Sequence, residues 1–485
     1  MNDNIIKKSC SKKLFKIAIL LIAMLTLSSC LHRASYLLFD HTIGAITRPI
    51  TTSSELLWRV QAYTKESLLR YKIKFFNFPL LENIPIPDIS PEREFMNPDT
   101  MNFWLNDYVG EPLACNLKLI KTGEEFFTLL IKSLKEAIKS ININIYIFNN
   151  DMIGMKIANI LKEKSKTIAV KVLLDIIGSR NAWQKEPKKI LKRKDLRKNK
   201  RQTKKKSKKS RKDILNYLKE NSKVKAKRSR NLLFTSNHIK SVIIDKQFCF
   251  FGGMNFGYEY RYIWRDLMFK VEGPIIKKFN QKFRHSWRRS KLFSGLLYLF
   301  DEDRKKTPLF DDSQKKYRCH FLITSPYRQQ IYKAQIYACQ NAKHHIYIEN
   351  PYCWDYKFIY NLCDARKRGV DVRVTLPLRS DIHLWNTATR SAINTLLHHG
   401  VRVFIFPTMT HVKAAIYDGW SCFGTANFDD LSFHKNYEIN LSTHDKEITL
   451  DLENFLLEGQ AQSKEVNTFI KKGFMDDFWL VAGIN

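Results

Sequence analysis

The chain is 485 residues long, 44% hydrophobic and 13% aromatic, a globular composition that excludes a disordered or collagenous chain and leaves room for a large buried core. Its 82 Lys and Arg against 47 Asp and Glu give a formal net charge of +35, which predicts attraction to a polyanion, either an acidic membrane surface or nucleic acid. Nine cysteines without a CxxC pair or a cysteine–histidine cluster at ligand spacing argue against a structural zinc site, and sequence does not pair them into disulfides.

At the N-terminus, Lys7, Lys8, Lys12, Lys13 and Lys16 precede an apolar stretch from Ile17 to Leu27. The stretch is short for a membrane span and suits the central region of a secretory signal. Leu27-Ser28-Ser29-Cys30 follows and resembles a bacterial lipobox, so Cys30 is the expected lipidation site and mature N-terminus. An uncleaved signal anchor is the other reading, and either one places the body of the protein in the cell envelope, tethered to a membrane and facing away from the cytoplasm. Pro79, Pro85, Pro87 and Pro91 then exclude a continuous helix and predict an extended loop.

From Gly123 to Ser140 the apolar residues follow helical spacing, and Ile141 to Phe148 alternates as a strand. The same succession returns at Gln329 to Lys343 and His345 to Ile348. A second short strand follows in each case, Ala169 to Asp175 and Val370 to Leu376. Helix and strand alternating in this way predict parallel sheets covered by helices, and their recurrence predicts an internal duplication. The duplication locates an insertion, because Val172 to His238 spans 66 residues where Val374 to His411 spans 37. Between Lys185 and Lys212 lie 17 Lys or Arg and only Glu186 and Asp195 on the acidic side. Such a tract cannot bury apolar surface and is expected to be solvated. Its expected role is an electrostatic arm for anionic phosphate surfaces, each basic residue near an acidic membrane contributing about 1 kcal/mol. Nucleic acid is the alternative ligand, although the absence of aromatics between Trp183 and Tyr217 removes base stacking.

The most informative pattern is a duplicated HxKxxxxD. His238, Lys240 and Asp245 are followed by Gly252, Gly253, Asn255 and Asp266. His411, Lys413 and Asp418 are followed by Gly424, Thr425, Asn427 and Glu438. Counted from each histidine, Lys, Asp, Asn and the last carboxylate fall at 2, 7, 17 and 28 in the first copy and 2, 7, 16 and 27 in the second. One residue missing between Asp418 and Gly424 reconciles them. Histidine and lysine two apart on a strand point to one face and can meet one phosphate. Asp245-Lys246-Gln247 and Asp418-Gly419 read as turns of hairpins that end in the small residues. Two histidines, two lysines and two asparagines brought together supply a nucleophile, a proton donor and a cationic cradle, an arrangement that requires neither metal nor cofactor.

These residues, together with Trp264-Arg265-Asp266, Asn436-Tyr437-Glu438, Asn350-Pro351-Tyr352 and Ser380-Asp381, resemble the phospholipase D superfamily, closest to its cardiolipin synthase-like branch. The resemblance runs from roughly Gly110 to Lys464. It implies an α/β fold of two pseudosymmetric halves, each a mostly parallel sheet flanked by helices, with one active site at their interface. One histidine would form a phosphohistidine and the other protonate the leaving alcohol. Asp266 and Glu438 would hydrogen-bond the histidines and fix their tautomers, and Asp245 and Asp418 would be structural. The expected organisation is a signal peptide over residues 1–30, a helical and Pro-rich region over 31–109, a first half over 110–290 with the basic insertion at 185–212, a linker over 291–318, and a second half with C-terminal helices over 319–485. The expected function is a membrane-associated phospholipid phosphodiesterase or phosphatidyltransferase acting on an anionic headgroup at the bacterial membrane surface. The alternative is an exported, metal-independent nuclease of the same superfamily. A catalytically silent lipid-binding scaffold is disfavoured because both histidines, both lysines and both paired carboxylates are present.

Overall fold

Local sequence starts the helices where the periodicity places them. Thr122 accepts the Glu125 N–H at the head of α2 (Gly123–Glu136), and Asp151 accepts from Ile153 and Gly154 ahead of α3 (Met152–Lys164). The structure is a computed structural model and describes residues 95–180, 213–229, 235–290, 316–326, 328–377 and 385–470. The signal and Cys30, the Pro-rich stretch, the basic tract, nearly all of the linker and Ser380-Asp381 lie outside the described residues.

After α1 (Pro98–Val109), the first half runs β1 (Leu113–Ile120), α2, β2 (Ser140–Ile145), α3, β3 (Ala169–Leu174), α4 (Ile214–Lys219), β4 (Lys225–Arg228), β5 (Ser241–Ile244), β6 (Phe248–Gly252), α5 (Tyr258–Tyr262), β7 (Met268–Glu272) and α6 (Ile276–Arg289). The second half runs β8 (Tyr317–Ser325), a two-residue β9 (Arg328–Gln329), α7 (Gln330–Asn341), β10 (His345–Glu349), α8 (Tyr356–Lys367), β11 (Asp371–Pro377), α9 (Trp385–His398), β12 (Arg402–Phe406), β13 (Ala414–Tyr417), β14 (Trp420–Gly424), α10 (Asp430–His434), β15 (Glu438–Thr443) and α11 (Lys446–Ala461), with β16 (Lys464–Val466) after it. Apart from β9 and β16 the two successions match element for element, as the duplication predicts.

The strands form one sheet in the order β16-β12-β11-β10-β13-β14-β15-β8-β1-β7-β6-β5-β2-β3-β4, and the antiparallel pair β8–β1 joins the halves. The α/β class with two pseudosymmetric halves is therefore present, with one correction to the expectation. Each half is mixed, not mostly parallel. Among the strands of the described residues only the helix-crossover pairs β2–β3, β3–β4, β10–β11 and β11–β12 are parallel. The hairpins β5–β6 and β13–β14 and their neighbours run antiparallel, because a two- or three-residue turn cannot make a parallel connection. The missing residue of the second motif is in this turn. Ser241 faces Phe251 and Ala414 faces Phe423 at equivalent register, while three residues close the first hairpin and Asp418-Gly419 closes the second. Asp418 and Gly419 both take positive φ (48° and 83°), the twist a two-residue hairpin needs.

One apolar cluster lies between the halves, where Phe269 stacks on Phe423 at 4.2 Å and Phe279 of α6 and Phe455 of α11 fill in from the helices. The opposite faces are covered by α2 and α3 in the first half and by α7, α8 and α9 in the second. Strands such as β10, β14 and β15 are consequently buried on both sides along their whole length. Cys249 and Cys422 occupy equivalent buried positions in β6 and β14, as expected of small hydrophobes. Among the described residues no helix is long and apolar enough to cross a membrane.

Candidate active site

Each motif histidine sits just before a hairpin strand, and each is laced to the other half. The His238 N–H donates to the Tyr437 carbonyl at 3.1 Å and the Tyr437 N–H to the Ser236 carbonyl at 2.8 Å. The second lacing is equivalent, with Arg265 N–H to the Met409 carbonyl at 3.1 Å and His411 N–H to the Arg265 carbonyl at 2.7 Å. Tyr437 precedes Glu438 and Arg265 precedes Asp266, so each lacing delivers a histidine to the carboxylate of the opposite half. His238 Nδ1 is 2.8 Å from Glu438 Oε1, and His411 Nδ1 is 2.7 Å from Asp266 Oδ2. Both histidines are almost fully buried. A carboxylate at Nδ1 fixes that nitrogen as the N–H donor and leaves the Nε2 lone pair facing outward.

The lysines share this face. Ile239 and Val412 turn into the core between the halves, and the alternation sends Lys240 and Lys413 back beside the histidines. Lys240 Nζ donates to the His238 carbonyl at 2.8 Å and Lys413 Nζ to the His411 carbonyl at 2.6 Å. An ammonium has three N–H groups, and the bond to the histidine carbonyl uses one of them on each lysine. Burial, with Lys413 alongside, holds Lys240 well below the usual lysine range against the pull of Glu438 and Asp266. Burial also lowers His238, with Lys240 and Lys413 adding to the effect and Glu438 opposing it. His411 is pushed well below its ordinary value by burial and by Lys413, Lys240 and His238. Burial raises Asp266 to about 7 while Lys413 pulls it back. An anion entering beside Lys240 and His411 would favour their charged forms, which burial disfavours.

The small residues make room for the carboxylates in two different ways. A Cβ on Gly253 would stand 1.9 Å from Asp266 Oδ1, so glycine is needed there. At the equivalent position, Thr425 Oγ1 donates to Glu438 Oε2 at 2.6 Å and its own N–H bonds to the Ile439 carbonyl. Gly252 and Gly424 both have positive φ (148° and 158°) and lie against the next strand, where a Cβ would meet Leu267 O at 2.5 Å and Ile439 O at 2.3 Å.

The asparagines are placed differently from one another. Asn255 is committed within its own half, accepting the Ile147 N–H at 2.9 Å and donating to the Tyr260 hydroxyl at 2.9 Å. Asn427 hydrogen-bonds Asp429, and its Oδ1 is buried with no partner among the described residues. Asp245 and Asp418 stand away from the histidines. Asp245 accepts the N–H groups of Ile138, Lys139 and Ser140 at the start of β2, and Asp418 those of Met96, Lys343, His344 and His345 at the start of β10. Asn350 takes the N–H groups of Tyr352 and Phe428, tying the end of β10 to the turn after Asn427.

Of the neighbours that complete the surroundings, only Trp264 belongs to a motif named from the sequence. Tyr146 lies edge-on to His238 with ring centroids 4.5 Å apart, and Lys240 Nζ is 5.1 Å from the centre of the Tyr146 ring. Tyr260 and Trp264 flank His411 at 5.5 and 5.4 Å. The only signal for Tyr146 is its place at the end of β2, next to the hairpin carrying His238. Asp175 accepts the Asn237 N–H at 2.7 Å and steadies the approach to His238. Among the described residues one group, Asp355, Asp430 and His434, has the spacing to hold a metal ion; His434 Nε2 already lies 3.1 Å from Asp355, and Lys435 pairs with Asp430 at 3.0 Å.

Residues 130–287 and 336–458 match the family described as cardiolipin synthase, PLD-like domain. A probable cardiolipin synthase of Bacillus subtilis (strain 168) is 28% identical over 445 residues, covering 88% of this chain and 83% of that protein. A cardiolipin synthase of Staphylococcus aureus (strain Mu50) is 29% identical over 367 residues, covering 72% of this chain and 68% of that one. Among solved structures, a phosphatidylserine synthase of Haemophilus influenzae superposes with a TM-score of 0.57 at 13% identity, over 78% of this chain and 94% of that one, a likeness of fold.

Proposed function

Since the chain belongs to the phospholipase D-like family that takes in the cardiolipin synthases, we propose that it moves a phosphatidyl group from one phospholipid to an alcohol, or to water, through a covalent phosphohistidine. The observation that carries this is the crossed bracing, His238 on Glu438 and His411 on Asp266. It sets two neutral imidazoles with outward Nε2 atoms beside two buried lysines.

With His238 as nucleophile, its Nε2 lone pair forms a bond to phosphorus as the bond to the leaving oxygen breaks. His411, protonated, passes its proton to that oxygen. The incoming alcohol or water then returns a proton to His411 while its oxygen displaces His238 from phosphorus. Lys240 and Lys413 hold the equatorial oxygens. The depressed His411 fits this order because a phosphodiester anion between the lysines offsets the charges that keep a proton away. The general acid is therefore loaded as the substrate binds.

The lipid reading includes an anionic headgroup, phosphatidylglycerol above all, and a protein held at the membrane by a lipidated Cys30 and the Lys185–Lys212 tract. A formal charge of +35 equally suits an exported nuclease of the same superfamily. Purified protein given phosphatidylglycerol vesicles and plasmid DNA in separate reactions, with chelator present, separates the two. Cardiolipin or phosphatidic acid from the vesicles supports the lipid reading. Nicked DNA with untouched lipid overturns it.

A further inference from the structure

Three connecting segments of the first half are laced side by side next to the histidines. The turn after β3 is held by Asp175, which accepts the N–H groups of Ile177 and Gly178, and it packs on the segment after β2. There Ser179 Oγ donates to the Tyr146 carbonyl at 2.9 Å, and a Cβ on Gly178 would stand 2.7 Å from the Tyr146 ring. The segment after β2 is bound in turn to the one after β6, with Asn149 N–H donating to the Phe256 carbonyl at 2.8 Å and Tyr258 N–H to Asp151 Oδ2 at 2.6 Å. Tyr146 backs His238, and Tyr260 and Trp264 back His411. The three segments therefore border the catalytic pair.

Each segment turns large apolar side chains to solvent. Ile176 and Ile177 are 41% and 45% exposed, Met152 is 66% exposed, and Tyr262 and Ile263 are 48% and 51% exposed. Apolar groups gathered beside a polar site are unfavourable in water unless something covers them. The fold does not impose them, since α10 has the partly buried His434 and Lys435 where α5 has Tyr262 and Ile263. Charge selects the covering surface. The exposed Lys156 is one turn along α3 from Met152, and three residues beyond Ile177 the described residues stop at Arg180, from which the sequence runs on to the 17 Lys or Arg between Lys185 and Lys212. Exposed isoleucines and a tyrosine beside dense positive charge suit an anionic bilayer, whose hydrocarbon takes the first and whose headgroups take the second. A nucleic acid would answer the cations and leave the isoleucines uncovered.

We infer that Met152, Ile176, Ile177, Tyr262 and Ile263 form a docking rim that enters an anionic lipid bilayer and turns the catalytic histidines toward its headgroup layer. The choice of lipid rests on the phospholipid reading above. A rim of this kind brings the phosphodiester to His238 while the acyl chains of the substrate stay in hydrocarbon.

Two measurements on the whole protein test this. In the first, phosphatidylglycerol vesicles doped with a phospholipid that carries a diazirine in its acyl chain are photolysed with the wild type, and the adducts are mapped by peptide mass spectrometry. Adducts should fall on the five rim residues and spare Ile138, which is 72% exposed but lies before the start of β2, at the other end of that strand from Tyr146. In the second, the double variant Ile177→Asp with Ile263→Asp should lower the ratio of vesicle turnover to turnover of a soluble p-nitrophenyl phosphodiester at least about tenfold, the loss expected when one large apolar side chain is no longer buried. Adducts on Ile138 in place of the rim, or an unchanged ratio, overturn the proposal. Should the double variant lose its soluble turnover and so prove misfolded, the wild-type adduct map decides alone. Should the wild type leave phosphatidylglycerol intact, the phospholipid reading fails by itself, and the adduct map still decides the rim.

Discussion

Gly253→Ala adds a single methyl group and should disable one histidine. The new Cβ would lie 1.9 Å from Asp266 Oδ1, 2.7 Å from its Cγ and 2.9 Å from its Oδ2. Even a close carbon–oxygen contact is about 3.3 Å, so the carboxylate has to retreat by more than about 1 Å. His411 Nδ1 is 2.7 Å from Asp266 Oδ2, and a retreat of that size carries the pair past the roughly 3.2 Å limit of a good hydrogen bond. A lost bond to a charged group costs about 1.5–3 kcal/mol. At about 1.4 kcal/mol per factor of ten, turnover should fall roughly 10- to 150-fold. The assay is initial-rate turnover of phosphatidylglycerol vesicles, with the urea midpoint measured in parallel to separate site from stability. Thr425→Ala is the matched control. It removes the hydroxyl from Glu438 Oε2 and leaves Oε1 on His238, so its effect should be smaller. In an Asp266→Asn background the bond is already impaired, and Gly253→Ala should then add little. Wild-type turnover in Gly253→Ala, or full additivity with Asp266→Asn, would refute the reasoning.

The two histidine substitutions should be distinguishable: with a p-nitrophenyl phosphodiester, whose leaving group needs little protonation, His411→Ala should still form a phosphohistidine and His238→Ala none. An acid-labile adduct mapped to His411 reverses the roles. Because His238 must be neutral to attack and its environment lowers it from the ordinary 6.5, the acid limb of kcat/KM should lie below pH 6.5 and activity should be lost only as pH falls through it. Glu438→Gln removes an upward pull and should move the limb of its residual activity lower still; a wild-type limb at or above 6.5 contradicts the charge argument. Deleting Lys185 to Lys212 should weaken binding to anionic vesicles and flatten its salt dependence while sparing turnover of a soluble phosphodiester, and loss of that turnover would make the tract part of the site. Cys30→Ser should abolish lipid labelling and leave an unprocessed precursor, an idea that a mature mass beginning upstream of Cys30 would sink.

What the sequence made legible was whatever depends on short-range geometry. His238 and Lys240 share a face because strand residues alternate, and the two hairpins could be placed from Asp245 and Asp418-Gly419 with their glycines. The duplicated succession of helices and strands was readable for the same reason, since periodicity is local. Strand direction was not local. Helix–strand alternation pointed to parallel sheets, yet each motif itself is a hairpin, and its antiparallel strands occupy the middle of each half. The partner of each histidine was equally hidden. Asp266 lies 28 residues after His238 in its own motif, but it serves His411, because the bridges Asn237 to Tyr437 and Arg265 to Thr410 cross between halves. Tyr146 carries no signature of its own and acquires a role only from its place beside His238.

The crossing also explains why the two copies diverge in matched pairs. Neither half holds a complete histidine–carboxylate unit, so a change behind one carboxylate is felt at the other half's histidine. Asp266 presses against a residue that can have no side chain, and Glu438, one methylene longer, stands off far enough for Thr425 to donate to it. Exchanging one member alone fails on steric grounds in one direction, since threonine at 253 collides with Asp266. In the other direction, glycine at 425 leaves Glu438 Oε2 without the hydroxyl that orients it. Asp with Gly and Glu with Thr are therefore two solutions to the same packing problem, and each must be inherited as a unit. The same logic applies one residue upstream, where Arg265 comes with Glu349 and Tyr437 comes with Lys282 and Arg289. The duplicated frame keeps the two histidines equivalent in bracing, while the divergent pairs make their surroundings unequal, with His411 beside Trp264 and Tyr260 and His238 beside Tyr146. A nucleophile and a general acid have different requirements, and this inequality is how a symmetric pair of motifs can serve both.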